Sequence, residues 1–499
     1  MGEFRFRVPT EWKLDPYHAN SIHVVGIDGI PWPCRISIGE DPIDPATNKP
    51  SGKLLIVSRN RDESGKLFTV YPFPKRGEML ICSGTLPSRE APYELLTELA
   101  RGTLNRLRNQ ISIWYEGGLK IPDSVNSTVK TATGLLSESI LSKQPGAKDK
   151  SAGQSIELAM DAIFELSTTF GEQVCKFRRE NEQMSTFWFG NQVGSKAQYD
   201  PSVSEVSFDL ARVSVGPDSE TSISGAGGRD PSAIRKRIIV GPWLDASVGG
   251  MCERLINLDD FLARKDQLLI ECRQQLDDLP QTTSLIHVVS GLNGVGHRNL
   301  SYPQQLEITA DLVRLVEESS VEVPTMVSFD FPWAERLAGA VGGVHPLQVA
   351  DSMLRQGLTI GFLGLDINLD YWPNGSVLRD PLQWIELIDV WAQLGLPMIL
   401  NLKIPTGLPD ADGSKVAREV NRTLSNLTDQ NRIEFLETAL SVMIARPSVH
   451  GVIWPQWQDG DDRRYPGGGL IDSDGNEKPI FDLIRRLRRR ATGEKGKAE

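Results

Sequence analysis

Cysteine is scarce in this 499-residue sequence: Cys34, Cys82, Cys175, Cys252 and Cys272 are an odd set of 5, with no CxxC pair. That pattern excludes a disulfide framework and offers no zinc-finger spacing. His287, His297, His345 and His450 share no HxH or HxxxH spacing, so no metal site is expected. Positive charge is also in deficit. The 54 Lys+Arg against 65 Asp+Glu leave a net charge of -11, opposite in sign to a nucleic-acid footprint, so no nucleic-acid partner is expected. The one basic cluster, Arg485, Arg486, Arg488, Arg489 and Arg490, reads as the solvated end of the last helix. No apolar run approaches a membrane span, and MGEFRFRVPTEW has no apolar signal core. The expectation is therefore a soluble, cytoplasmic chain with no membrane partner. GxSxG is missing and no Cys–His pairing is visible. SGAGGRDP (224–231) lacks the Lys-Ser/Thr ending of a phosphate loop, and GLNGVGH (291–297) is not GxGxxG. No cofactor is expected.

What is present is ordinary globular material: 39% hydrophobic, 24% charged, 45 Gly and 31 Pro. The length allows two or three domains, or one large barrel with an appendage. Up to about residue 90, short runs such as IHVVGIDG, RISIG, KLLIVSR, LFTVYPF and EMLICSGTL alternate with turn residues. They predict a small β-sandwich from about Ser21 to Leu86, as an accessory module of carbohydrate-binding style over 1–90. Residues 91–184 read as a helical connector packing on the C-terminal domain. Leu95, Leu96, Leu99, Leu104 and Leu107 mark one helix; Ile156, Ala159, Ile163, Leu166, Phe170, Val174 and Phe177 mark a second from Ser155 to about Arg179. The polar stretch LSKQPGAKDKSAG separates them.

From 185 to 490 strand-like runs alternate with amphipathic helices. The strands are STFWFG, EVSFDLARVSV, RIIVGPWL, SLIHVVSG, PTMVSFD, IGFLGLDI, LPMILNLKI and VHGVIWPQW. Eight strands with helical returns predict an α/β fold, a (β/α)8 TIM barrel, with an open doubly wound sheet as the rival. Residues 491–499 form a polar tail.

In such a barrel the strand C-terminal ends carry function. Five of the 11 tryptophans (Trp243, Trp333, Trp372, Trp454 and Trp457) fall there, beside Asp245, Asn293, Asp370 and Asn401. Aromatic faces next to hydrogen-bonding groups suit sugar rings, so these nine residues are the expected contacts of a carbohydrate ligand. Each Trp has the alternative of simply packing the rim.

The final segment, VHGVIWPQWQDGDDRRYPGGGLIDSDGNEKPIFDLIRRL, resembles the barrel end of glycoside hydrolase family 10, the xylanase-like group. FWFGNQVG and RIIVGPWLD resemble that family's first and third strands, IHVVSG stands where the fourth reads WDVVNE, and WAQLGLPMILNLKIP is similar to the run into strand seven. The resemblance covers about 185–487 and implies a TIM barrel that retains anomeric configuration with two glutamates. Here the departure matters, because Gly291 and Leu402 occupy the two positions, and neither can donate a proton or attack an anomeric carbon. Two readings remain. Either relocated carboxylates, Asp330, Glu335 and Asp366, hydrolyse a glycosidic bond, or the barrel is a pseudoglycosidase that binds saccharide or serves as a scaffold. Asp330 and Asp366 also have a purely structural option, pairing with Arg336 or Arg379.

Overall fold

The computed structural model describes residues 2–9, 12, 15–40, 43–44, 49–50, 52–181, 187–193, 208–213, 237–246, 261–295, 300–340, 342–407, 423–462 and 464–492. The glycine-rich stretch 224–231 and His297 lie outside them. Chain contacts divide the molecule into two units. The first holds Met1–Val174 together with Glu335–Val341 and Val377–Glu386; the second holds the remainder.

The first unit begins with β1 (Gly2–Val8), α1 (Pro16–Ser21), β2 (His23–Gly26), β3 (Pro31–Trp32), β4 (Cys34–Glu40), β5 (Ile43–Asp44), β6 (Lys49–Pro50), β7 (Lys53–Arg59), β8 (Gly65–Phe73), β9 (Gly77–Cys82) and β10 (Tyr93–Glu94). They form two four-stranded sheets, ordered β10-β1-β7-β4 and β3-β2-β8-β9, and a small β5-β6 pair. The β region therefore starts at Gly2, ahead of the expected Ser21. GEFRFRV alternates with period two, and Phe4, Phe6 and Val8 take the buried face.

Three helices come next: α2 (Leu95–Glu116), α3 (Asp123–Leu141) and α4 (Pro145–Glu180). The polar stretch expected to break the helical pattern is mostly helix, with α4 starting at Pro145. Gly102 lets α2 lie close to β9, since a Cβ there would collide with the Cys82 carbonyl oxygen. Trp114 of α2 stacks on Phe170 of α4 with centroids 4.2 Å apart.

Beneath the helices lies a buried ionic network. Arg106 of α2 grips Asp380 with two parallel bonds (Nη1 to Oδ2 2.8 Å, Nη2 to Oδ1 3.0 Å) and reaches Glu386 through Nε at 3.0 Å. Asp380 has no exposed side-chain area. Burial alone would raise its pKa, but the Arg106 charge and hydrogen bonds to it outweigh burial and hold the carboxyl below its ordinary range. Gln383 bonds Asp380 and the Leu80 carbonyl, and accepts from Arg379, whose other nitrogen donates to Glu335 at 2.8 Å.

The second unit carries β11 (Trp188–Val193), β12 (Leu210–Val213), β13 (Arg237–Val240), β14 (Leu244–Asp245), α5 (Phe261–Asp277), β15 (Thr283–Leu292), α6 (Tyr302–Glu317), β16 (Thr325–Asp330), α7 (Pro346–Arg355), β17 (Phe362–Asn368), α8 (Pro381–Ala392), β18 (Met398–Lys403), α9 (Asp429–Ala445), β19 (Val449–Trp454) and α10 (Pro479–Thr492), of which α8 begins in the first unit. The sheet is parallel and curled. β13 pairs with β12 on one side and β15 on the other, so the ladder of β11, β12, β13 and β15–β19 returns on itself. Each of the eight expected strand segments overlaps one strand of this ring. Ile239, Leu285, Met326, Ile399 and Ile453 form a buried apolar cluster drawn from five of those strands, with Trp188 and Phe362 against it. Helix α6 starts at a reciprocal cap between Ser301 and Gln304. The arginine cluster of α10 is largely paired, Arg485 with Glu477, Arg490 with Glu437 and Arg488 with Asp209.

Two outcomes are expected for the first unit. Arg106→Met leaves the Asp380 charge buried without its cation, and should cost about 3–5 kcal/mol in urea unfolding. His18 sits between Glu78 (3.3 Å) and Asp15 (2.8 Å). The Glu78 hydrogen bond raises its pKa above the ordinary 6.5, burial opposes this, and Asp15 adds to the rise. The stabilisation is thus fully present below 6.5 and lost as pH rises through the folded value. His18→Gln should lower the melting temperature at pH 5.5 and have little effect at pH 8.5; an equal drop at both would refute the ionic role.

Candidate functional site

Parallel strands hold their carboxyl ends on one side of a sheet, where ligands of such sheets bind. Cross-strand partners also share a face. The register Asp330↔Asp366↔Asn401 therefore makes one polar row across β16, β17 and β18, and Asn368↔Lys403 makes a second two residues on. Ser328 lies two residues before Asp330 on the same face. Gly364, its partner on β17, has no side chain, and a Cβ there would strike Ser328.

Asp366 is the hub of the first row. It accepts from the Gly291 backbone N–H (2.9 Å), the Ser328 hydroxyl (2.6 Å) and the Asn401 amide (2.7 Å). A carboxylate offers about four acceptor positions, so three are filled. Ser328 has one proton and gives it to Asp366; its oxygen then accepts from His287 Nε2 at 2.9 Å, which assigns the Nε2–H tautomer. His287 is fully buried.

The second row carries charge. Lys403 Nζ lies 3.6 Å from Asp462 and 4.3 Å above the Tyr465 ring. Arg464 clasps Asp462 (Nε to Oδ1 2.9 Å, Nη2 to Oδ2 2.8 Å) and approaches Asp245 at 3.5 Å. Asp245 also accepts from Ser290 at 3.1 Å. Burial works against ionising Asp462, but Lys403 and Arg464 prevail and hold its pKa at about 2. Burial lowers the Lys403 pKa and Arg464 adds to this, although Asp462, Asp245 and Asp366 all pull the other way. The Tyr465 phenol is pushed well up, chiefly by burial and then by Asp330. These effects place Asp245, Asp330, Asp366, Lys403, Asp462, Arg464 and Tyr465 in one electrostatic neighbourhood. It is partly open: the side chains of Lys403, Asp462, Asp245 and Arg464 are 17%, 21%, 24% and 30% exposed.

Of the three carboxylates expected to carry chemistry, Asp330 and Asp366 share this neighbourhood. Asp330 accepts from the Phe331 N–H and the Asn368 amide, both at 2.8 Å. Glu335 is placed elsewhere, 2% exposed in a 3-10 turn (Glu335–Gly339) of the first unit and paired with Arg379. It thus takes the arginine that was the structural option for Asp330 and Asp366, because a buried carboxylate needs a cation more than one already held by amides. Asn401 and Asp245 join the cluster. Asp370, at φ 65°, accepts from the Thr423 and Leu424 N–H groups, and Asn293 accepts from Val295, so both organise loops.

The tryptophans need correction. Trp243, Trp454 and Trp457 are 1%, 3% and 3% exposed, so their faces are packed rather than offered to a ligand. Trp457 lies edge-on to Phe481, and Trp454 donates to the Gly468 carbonyl at 2.8 Å. Trp333 and Trp372 keep partly exposed surface. The residues that sequence reasoning did not select as site members are Ser328, His287, Lys403, Asp462, Arg464 and Tyr465. For Ser328 and Lys403 the signal was available in the period-two spacing SFD and NLK.

No protein-family model matches the chain, and no curated protein matches it. Solved structures do. Xylanase 10B from Thermotoga maritima is 12% identical, with a TM-score of 0.45 over 64% of this chain and 99% of its own. The Penicillium canescens endo-1,4-beta-xylanase XylE is 11% identical, with a TM-score of 0.42 over 65% and 97%. A beta-glucuronidase from an uncultured Clostridium species is 14% identical, with a TM-score of 0.40 over 61% and 50%. Likenesses this distant carry nothing about a reaction. Among the described residues, no helix is long and apolar enough to cross a membrane, and no group of His, Cys, Asp and Glu is placed to hold a metal ion.

Ser328→Ala tests the polar row. It removes the bridge between His287 and Asp366 and should cost about 1–3 kcal/mol in chemical denaturation. A neutral result would mean that neither group depends on the hydroxyl.

Proposed function

We propose that the curled sheet is a (β/α)8 barrel and that its C-terminal mouth binds a short, hydroxylated ligand of the saccharide class. The observation that supports this best is the half-open cluster of Asp245, Asp366 and Asp462 with Lys403 and Arg464. Sugar hydroxyls both donate and accept, so a wall that alternates carboxylates with an ammonium and a guanidinium can satisfy either end of each O–H. Of the expected tryptophans, Trp333 and Trp372 are those with partly exposed surface. On this reading the ligand is held mainly by hydrogen bonds.

Binding fits better than hydrolysis. Glycosidic cleavage needs two carboxyl groups facing each other across the scissile bond. Gly291 and Leu402 stand where the resembled family has its glutamates; the Gly291 N–H is spent on Asp366, and Leu402 is fully buried. Glu335 is neutralised by Arg379, and Asp330 and Asp366 already accept two and three hydrogen bonds.

A glycan array followed by calorimetry on the best binder is the test. The expected result is saturable binding that weakens about tenfold in Asp245→Asn, the loss of one charged hydrogen bond. Release of reducing ends by the wild type, abolished in Asp366→Asn, would replace the binding reading with the hydrolytic one. Failure to retain any glycan would remove the saccharide assignment.

A further inference from the structure

We propose that Lys403 is a carbonyl-reactive amine, forming a reversible imine with a small hydroxylated aldehyde that enters the mouth. Five observations within the second unit meet at this side chain. It stands at the last residue of β18, at the end of the sheet where parallel strands present their chemistry. It is largely but not wholly withdrawn from water, at 17% exposure. Its ion-pair partner among the described residues, Asp462, is 3.6 Å away, longer than a direct hydrogen bond, and is itself engaged by the Arg464 fork. The Tyr465 ring covers the nitrogen at 4.3 Å. Finally, burial and Arg464 depress the ammonium form, which raises the share of free amine at neutral pH. A lysine kept only for an ion pair would be expected to gain proton affinity from three carboxylates nearby; this one loses it.

The step balances without any additional reagent. The Lys403 ammonium first gives a proton to water. The neutral nitrogen attacks the carbonyl carbon, forming a C–N bond while the C=O pair moves to oxygen, which takes up a proton to give a carbinolamine. The hydroxyl then leaves as water with one proton, and the iminium remains. In net terms, ammonium plus aldehyde yields iminium plus water. The charge at the nitrogen is +1 before and after, so the Asp462 carboxylate and the Tyr465 face that hold the ammonium can hold the iminium equally well. With its pKa at about 2, Asp462 stays ionised and acts as counter-ion rather than as proton donor. The polar row of Asp366 and Asn401 supplies acceptors and donors for the hydroxyl groups of the same aldehyde.

Imine formation does not require the saccharide reading, and the experiment separates the two. The intact protein is incubated at pH 7 with glycolaldehyde and cyanoborohydride, which reduces an iminium to a stable amine, and labelled lysines are located by peptide mass spectrometry. The internal standard is Lys176, whose side chain is 68% exposed. Lys403 should be labelled at least about fivefold faster than Lys176, because a larger share of an amine with a lowered pKa is free base at that pH. Lys403→Arg keeps the positive charge and its pairing with Asp462 but cannot form an imine, so the fast label should vanish while Lys176 keeps its own. A ratio below fivefold in folded wild type, or fast labelling that survives Lys403→Arg, overturns the proposal. Calorimetry without reductant reads saccharide binding separately. Glycan binding without fast labelling sinks only the imine, and fast labelling without glycan binding sinks only the saccharide reading.

Discussion

A carboxylate withdrawn from water loses its hydration and must recover it from donors or cations, at a cost of several kcal/mol where it does not. Four side chains meet this demand in different ways. Asp380 recovers it with the Arg106 fork and Gln383, Glu335 with Arg379, Asp462 with Arg464 and Lys403, and Asp366 with three neutral donors. The choice of partner decides the use of the carboxylate. Asp380 is closed by a bidentate ion pair and Glu335 by a single one, both with almost no exposed surface, which suits holding chain segments in place. Asp366 keeps an acceptor position and a partly exposed surface, and Asp462 faces a lysine that is only loosely paired. The structural acids and the candidate functional acids thus differ by partner chemistry rather than by residue type.

Much of the second unit was legible because parallel strands are written as short apolar runs ended by polar residues. The eight runs stand out between helical stretches, and the polar ends of β16, β17 and β18 announce themselves as SFD, DIN and NLK. Asp366, Asn401 and Asp245 could be picked out for that reason. The partners could not. Arg464 and Asp462 come from beyond β19, far along the chain from Lys403, and it is the parallel pairing of β19 with β18 that brings them beside it. Glu335 was misplaced by the same limitation. SFDFPWAE reads as one strand exit, but a left-handed turn at Phe331 and Ala334 separates Asp330 from Glu335, and the latter falls within the first unit. In that unit, Val125, Val129, Ala132 and Leu136 of α3 do recur at helical spacing, but they are diluted by Ser and Thr, and only Val125, Ala132 and Ser139 are buried, so the stripe was faint.

The tryptophans show why composition and position can point in different directions. A surplus of Trp near carboxylates suggests a stacking groove, yet an indole removed from water gains more by burial than any other side chain of comparable reach. Three of the five rim tryptophans take that gain, with Trp454 also satisfying its N–H on the Gly468 carbonyl. What then remains for a ligand is chiefly hydrogen-bonding and charge. On the proposed reading, such a surface would discriminate by the placement of hydroxyl and carbonyl groups rather than by the area of a sugar ring, which suits a small polar molecule better than a long chain laid across aromatic platforms. The same conclusion bears on Lys403. In an apolar, Trp-lined groove a lysine would be an isolated charge seeking solvent. Here it is enclosed by Asp462 and the Tyr465 ring, groups that would tolerate its cation in either the ammonium form or the proposed iminium form.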